Sequence, residues 1–125
     1  MSFYTSLFNS SIPNLQIVSS NNFTYNTDYK LCLNLANDQD KKILLIFSAD
    51  WCGYCGKLKS NLNTIEQSNK FIICIIDTDI NKNFAKKFNI KSLPTSLIIS
   101  KDEKILSSKI GYNKKDYEQW INKHY

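Results

Sequence analysis

The chain has 125 residues, of which 42% are apolar and 22% charged, ordinary proportions for one soluble domain that can bury a core without disulfide staples. Its net charge of +5 comes from lysines alone, with no arginine. Without the bidentate guanidinium fork that reads phosphates and base edges, no nucleic-acid role is expected. No stretch approaches the roughly 20 apolar residues that span a bilayer, so no membrane role is expected either.

Residues 1–11 carry Phe3, Tyr4, Leu7 and Phe8 broken by polar neighbours, with no basic start, which makes a poor secretory signal. Residues 1–14 read as a loose lead-in to a single domain over 15–125. The cytosol is the expected compartment, with a periplasmic or secreted location only if a leader has been removed. Residues 15–18 read as a first edge strand, followed by a Ser/Asn-rich turn over 19–22. Thr27 is placed to cap a helix over about 28–37, with Tyr29, Leu31, Cys32 and Leu35 on its buried face.

After a polar turn, residues 43–47 form an unbroken apolar run, the mark of a strand covered on both faces. Trp51-Cys52-Gly53-Tyr54-Cys55 follows, opening a helix that reaches about Gln67 with Leu58, Leu62 and Ile65 at helical spacing. Residues 71–76 form the next buried strand, and Asp77-Thr78-Asp79 closes it. A short amphipathic helix then carries Phe84, Ala85 and Phe88. Ser92-Leu93-Pro94-Thr95 leads into a strand over 96–99, and a turn over 101–104 leads into another over 105–110. Gly111 ends it, and a last helix over 114–123 places Tyr117, Trp120 and Ile121 on one face. Helices alternating with buried strands, then a hairpin and a helix, imply an α/β fold. The expected form is a mixed central sheet of about five strands flanked by about four helices.

The four cysteines divide into two kinds. Cys52 and Cys55, three apart, can cycle between dithiol and disulfide. A free thiol has a pKa of about 8.5 and attacks only when ionised. A helix N-terminus favours the thiolate through its unpaired N–H groups and dipole. The second sulfur, about a turn later, can then attack the mixed disulfide and release the partner. Cys32 and Cys74 lie in apolar segments and are expected to serve as packing. A zinc site from all four is not expected, because there is no second close pair and His124 is nearly terminal.

From about residue 15 onward the chain resembles the thioredoxin family. The resemblance rests on Ala49-Asp50-Trp51-Cys52-Gly53-Tyr54-Cys55 after an apolar strand, the Asp-rich turn 77–79, Phe88-Asn89-Ile90, Leu93-Pro94-Thr95, and Gly111 before the last helix. It implies a thioredoxin-like fold and thiol–disulfide exchange with no bound cofactor and no metal. It makes Cys52 the nucleophile and Cys55 the more buried resolving thiol. Pro94 matches the family's cis-proline, which leaves the backbone of Leu93 free to pair with an extended substrate. Trp51, Gly53, Tyr54, Leu93 and Pro94 are therefore the expected substrate-binding residues. The expected partners are protein disulfide or dithiol substrates and a redox donor, either a reductase or a partner thiol protein. A monomer is expected.

Departures from the family pattern are as informative. Ile46 stands where thioredoxins carry a buried aspartate that helps deprotonate the resolving thiol, and Ile75 stands where a lysine is frequent. Ser60 replaces a helix-kinking proline. Cys-Gly-Tyr-Cys is closer to the centres of bacterial disulfide isomerases. Asp50 is expected to face solvent and not to replace the missing base. The alternatives to protein-disulfide exchange are a client- or partner-binding module with little turnover, and glutaredoxin-like or isomerase activity.

Overall fold

The computed structural model describes residues 17–20 and 23–125, so the lead-in over 1–14 lies outside the described residues. Two apolar strands, β3 (Lys42–Ser48) and β4 (Phe71–Asp77), form its centre and run parallel from Lys42↔Phe71 to Ser48↔Asp77. β5 (Thr95–Ile99) lies antiparallel on the other side of β3, and β6 (Ile105–Ile110) pairs antiparallel with β5. A hairpin of β1 (Ile17–Ser20) and β2 (Phe23–Asn26) joins the far edge, where Asn26 pairs with Cys74. The order is β1-β2-β4-β3-β5-β6, a mixed six-stranded sheet.

The helices α1 (Tyr29–Gln39), α2 (Gly53–Asn61), α3 (Lys82–Lys87) and α4 (Lys114–His124) cover the sheet. Successive strand residues point to opposite faces, and this divides the core. Leu44, Ile46, Ile73, Ile75 and Ile98 cluster with Leu58 of α2 and with Tyr117, Trp120 and Ile121 of α4. Ile43, Leu45, Phe47, Ile72, Cys74 and Ile76 cluster instead with Cys32 and Ala36 of α1 and Ala85 of α3. Two aromatic hydroxyl or indole groups at the first face are hydrogen-bonded: Tyr117 Oη donates to Ser96 Oγ at 2.7 Å and Trp120 Nε1 to Ser107 Oγ at 2.8 Å. Burial holds the Tyr117 phenol well above the ordinary tyrosine range.

The α/β expectation holds, with local differences. The first strand lies two residues later than the reading over 15–18, and residues 15–16 lie outside the described residues. Ser19 and Ser20, read as a turn, belong to β1, while 21–22 lie outside the described residues. The second hairpin strand was missed, although Phe23, Thr24 and Tyr25 are strand-favouring types. Thr27 does not cap α1. Asp28 does, its Oδ1 accepting the N–H of Lys30 at 3.0 Å and of Leu31 at 3.3 Å. The helix expected to reach Gln67 ends at Asn61, followed by 3₁₀ turns at Leu62–Thr64 and Ser68–Lys70. Ser60, Asn63 and Thr64 are weak helix formers, and Thr64 Oγ1 donates back to the Asn61 carbonyl at 2.7 Å.

The largest correction concerns Cys32 and Cys74. They are not two separate packing cysteines but a disulfide joining α1 to β4, with Cα atoms 6.2 Å apart and both residues fully buried. Sequence spacing gives no hint of this bond, because 42 positions separate the two. It arises from topology: Cys74 points to the face that α1 covers.

Candidate active site

β3 is buried from Ile43 to Ser48, and Ala49 is buried after it, so the chain leaves the core only at Asp50. There it turns into α2, with the Cys52 N–H donating to the Ala49 carbonyl at 3.1 Å. Cys52 is the N-cap of α2 in an extended conformation, and its Sγ accepts the N–H of Cys55 at 3.2 Å. Cys52 is partly exposed, while Cys55 is 1% exposed. Their Cα atoms are 5.2 Å apart and the two form a disulfide. When that bond opens, the helix end and the Cys55 N–H favour negative charge on Cys52 sulfur. The arrangement offers one sulfur to a partner and keeps the other behind it.

The parallel register of β3 and β4 brings the Asp-rich turn to the same end of the sheet. The Thr78 N–H donates to the Ser48 carbonyl at 2.9 Å. Asp77 Oδ1 accepts from the N–H of Asp79 at 2.8 Å and of Ile80 at 3.3 Å, which shapes the turn. Asp79 Oδ2 then accepts the Trp51 indole N–H at 3.0 Å. Trp51 is 72% exposed, so this bond fixes a surface ring beside the cysteine loop. Tyr54, also exposed, lies beneath the Lys57 ammonium, 5.2 Å from the ring centroid.

The third loop comes from β5, whose first residue Thr95 pairs with Phe47 near the end of β3. The Leu93–Pro94 bond is cis, Pro94 is buried and Leu93 half-buried. Thr95 Oγ1 donates to the Ser92 carbonyl at 2.7 Å, and the Gly111 N–H to the Pro94 carbonyl at 2.7 Å. Gly111 has φ +81°, a conformation that glycine adopts without strain, and it turns the chain out of β6. Next to it, Ile110 stands opposite Thr95 and is exposed. The cysteine loop, the Asp77–Ile80 turn, the proline loop and the end of β6 therefore share one end of the sheet.

All seven residues expected from the sequence lie at this end: Trp51, Cys52, Leu93 and Pro94 in the loops, and Gly53, Tyr54 and Cys55 in the first turn of α2. Asp79, Ile80 and Ile110 were missed as contributors. Asp79 had a visible signal, the Asp77-Thr78-Asp79 repeat after a buried strand, but its partner is set by strand register. Ile80 and Ile110 are isolated apolar residues beside polar ones, and nothing local marks them as exposed. Asp50 faces solvent as expected. Ile46 is fully buried among the apolar residues that carry Leu58, three positions beyond Cys55. In register it is flanked by Ile75 and Ser96, so neither strand neighbour supplies a charge.

A cavity of about 860 Å³ is lined by Tyr25, Asp28, Ser48, Lys59, Asp77 and Ile80. Neither active-site cysteine, nor Leu93 or Pro94, lines it. Among the described residues, no three His, Cys, Asp or Glu side chains are grouped to hold a metal ion. No described helix is long and apolar enough to cross a membrane.

A helix-capping, partly exposed cysteine with a buried partner three residues on, at the same end of a mixed α/β sheet as a cis-proline loop, defines a dithiol–disulfide protein. The thioredoxin family model matches residues 22–123. The chain is 32% identical over 92 residues to thioredoxin of Bacillus subtilis, covering 71% of this chain and 88% of the relative. It is 37% identical over 76 residues to thioredoxin of Chlorobaculum thiosulfatiphilum, covering 59% and 69% of the two chains. Among solved structures it is similar to a poplar thioredoxin h, with a TM-score of 0.70 and 25% identity over 76% of this chain and 86% of that one. The chain belongs to the thioredoxin family, the oxidoreductases of thiol–disulfide exchange.

Proposed function

We propose that this protein exchanges disulfides with other proteins through Cys52 and Cys55. The observation that carries the reading is the division of labour between the two sulfurs. Cys52 caps a helix and reaches solvent, whereas Cys55 is sealed and donates its N–H to the Cys52 sulfur. In the reductive direction, the Cys52 thiolate attacks one sulfur of a client disulfide. The client S–S bond breaks, a Cys52–client disulfide forms, and the departing client thiolate takes a proton. Cys55, once deprotonated, attacks the Cys52 sulfur and restores the intramolecular disulfide as the second client thiolate leaves. Two electrons pass to the client, and a reductase or partner dithiol protein returns them. Direction follows from potential, about 30 mV corresponding to roughly 1.4 kcal/mol for this two-electron couple.

The substrate class is an extended peptide segment. The open rim supports this reading, with Trp51, Tyr54, Ile80 and Ile110 exposed around the cysteine and proline loops. Such a surface lends apolar contact to many sequences, and Leu93 offers backbone pairing beside it. Insulin reduction coupled to a dithiol donor tests the proposal: wild type should turn over and Cys52→Ser should not. Activity that survives the substitution would refute it.

One observation favours a second reading, a client-binding module with slow turnover. With Ile46 and Ile75 in the core, no buried carboxylate stands in those strand positions to take the Cys55 proton, and no ammonium to stabilise its thiolate. Client capture without multiple turnovers in the same assay would select this reading. Glutathione dependence would select glutaredoxin-like activity instead. Reshuffling of a scrambled disulfide substrate would select isomerase activity, which the resemblance of the Cys-Gly-Tyr-Cys centre to those of bacterial disulfide isomerases supports.

A further inference from the structure

Cys32 and Cys74 take no part in that exchange, yet they are joined. We propose that the Cys32–Cys74 disulfide is a sealed cross-link that stays oxidised while Cys52–Cys55 cycles, and that the stability of the fold depends on it while the chemistry does not.

Thiol–disulfide exchange needs a thiolate in line with the S–S bond, and a thiolate in apolar surroundings is disfavoured. Both Cys32 and Cys74 are 0% exposed, in a cluster with Ala36, Ile43, Leu45 and Ile76. No solvent-borne thiolate reaches that bond unless α1 leaves the sheet. The active pair cannot reach it either. α2, which carries Cys55, packs through Leu58 against the face holding Ile73 and Ile75, whereas Cys74 between them points to the other face. The sheet itself insulates one sulfur pair from the other.

The bond also encloses the catalytic segment. Its 42-residue loop contains β3, α2 and both active-site cysteines. Closing a loop of that size restricts the unfolded chain and so favours the folded one. Formation is an oxidation: the two thiols lose two protons and two electrons to a disulfide oxidant such as oxidised glutathione, which leaves as two thiols. It must occur before α1 closes on β4. Thereafter burial, and not the surrounding redox poise, maintains the bond.

The test begins with oxidised wild-type protein exposed briefly to dithiothreitol under native conditions, then denatured in excess N-ethylmaleimide, so that label reports reduction and not exposure, and mapped by mass spectrometry. Label is expected on Cys52 and Cys55, with Cys32 and Cys74 reacting at least about 100-fold more slowly, and on all four after the same treatment in urea. Equal native labelling of all four cysteines would overturn the proposal, as would free Cys32 and Cys74 in unreduced, denatured protein. The second measurement is thermal. The double variant Cys32→Ala with Cys74→Ala should melt about 10 °C below wild type yet reduce insulin within about twofold of the wild-type rate at 25 °C. Should the double variant fail to fold, wild type refolded from urea with reductant should show the same lowered Tm. An unchanged Tm there would mean the sulfurs only pack.

Discussion

The central sheet separates two pairs of cysteines, which share a disulfide bond and differ in everything around it. Cys52 and Cys55 are three residues apart, at a helix start, with one sulfur within reach of solvent. Cys32 and Cys74 are 42 apart, joining the first turn of α1 to the middle of β4, with neither sulfur within reach. Reactivity is thus assigned by position. A helix N-terminus and an open rim make a thiol useful, and an apolar layer makes a disulfide inert. The sharpest way to break this contrast is to remove one sulfur from the active pair. Cys52→Ser should lower insulin reduction by at least about 1000-fold, a barrier increase of about 4 kcal/mol. Cys55→Ser should instead leave clients attached to Cys52 in complexes that survive a non-reducing gel. If Cys55→Ser turned over like wild type, the buried thiol would not be the resolving one.

Next in size is the effect of giving the active face the charge it lacks. Ile46→Asp would place a carboxyl in the apolar layer beneath α2, the helix that carries Cys55. An unpaired carboxylate there is strongly disfavoured, so a loss of about 3 kcal/mol in urea unfolding is expected. The same burial raises the carboxyl pKa toward working pH, where it can accept the Cys55 proton. Resolution of a preformed Cys52–client disulfide, followed by quenched-flow trapping, should then accelerate about tenfold. Loss of stability with no change in that lifetime would leave Ile46 as packing alone.

Much of this contrast was readable in the chain, and the unread part has a common cause. The runs over 43–47 and 71–76, the Cys-x-x-Cys spacing and Pro94 are local patterns, and each names its own environment. The Cys32–Cys74 bond, the Asp79–Trp51 hydrogen bond and the exposure of Ile110 depend instead on which strands lie side by side. Thr78 reaches Ser48 because β3 and β4 are parallel and in register, and that carries Asp79 to Trp51. The end of α2 was misread for a smaller reason. Leu62 and Ile65 continue a helical period, while Ser60, Asn63 and Thr64 between them favour turns.

A buried hydroxyl pair sharpens the comparison on the stability side. Tyr117→Phe removes the donor to Ser96 and leaves that hydroxyl buried without it, at a cost of about 1–2 kcal/mol in urea unfolding at neutral pH. The pH dependence has a definite sign. Burial raises the Tyr117 pKa in the folded state, and burial followed by the Glu103 contact raises that of Tyr29. A group raised on folding contributes stability below its unfolded pKa, about 10 for tyrosine, and loses it as pH climbs toward the folded value. Wild type should therefore lose stability progressively above pH 10. Tyr117→Phe should lose it less steeply, Tyr29 still contributing. Parallel pH profiles for the two proteins would show that Tyr117 titrates no differently once folded.

The smallest expected effect falls on the exposed rim, where a single hydrogen bond orders a ring that burial does not hold. Asp79→Ala removes the acceptor of the Trp51 indole N–H, and water can replace it at this surface, so stability should fall by only about 0.5–1 kcal/mol. Motion should change more than stability. Trp51 fluorescence anisotropy should drop, against the fixed contribution of Trp120, whose indole is held by Ser107 inside the α4 face. If Trp51 must be fixed to receive an extended client, insulin reduction should weaken about two- to fivefold through KM, with kcat little altered, because Cys52 and Cys55 keep their helix. Asp79→Asn, which retains an acceptor oxygen, should restore most of both readouts. A fall in kcat instead would mean that the turn acts on the cysteines themselves, tying the rim to the chemistry more tightly than its exposure implies.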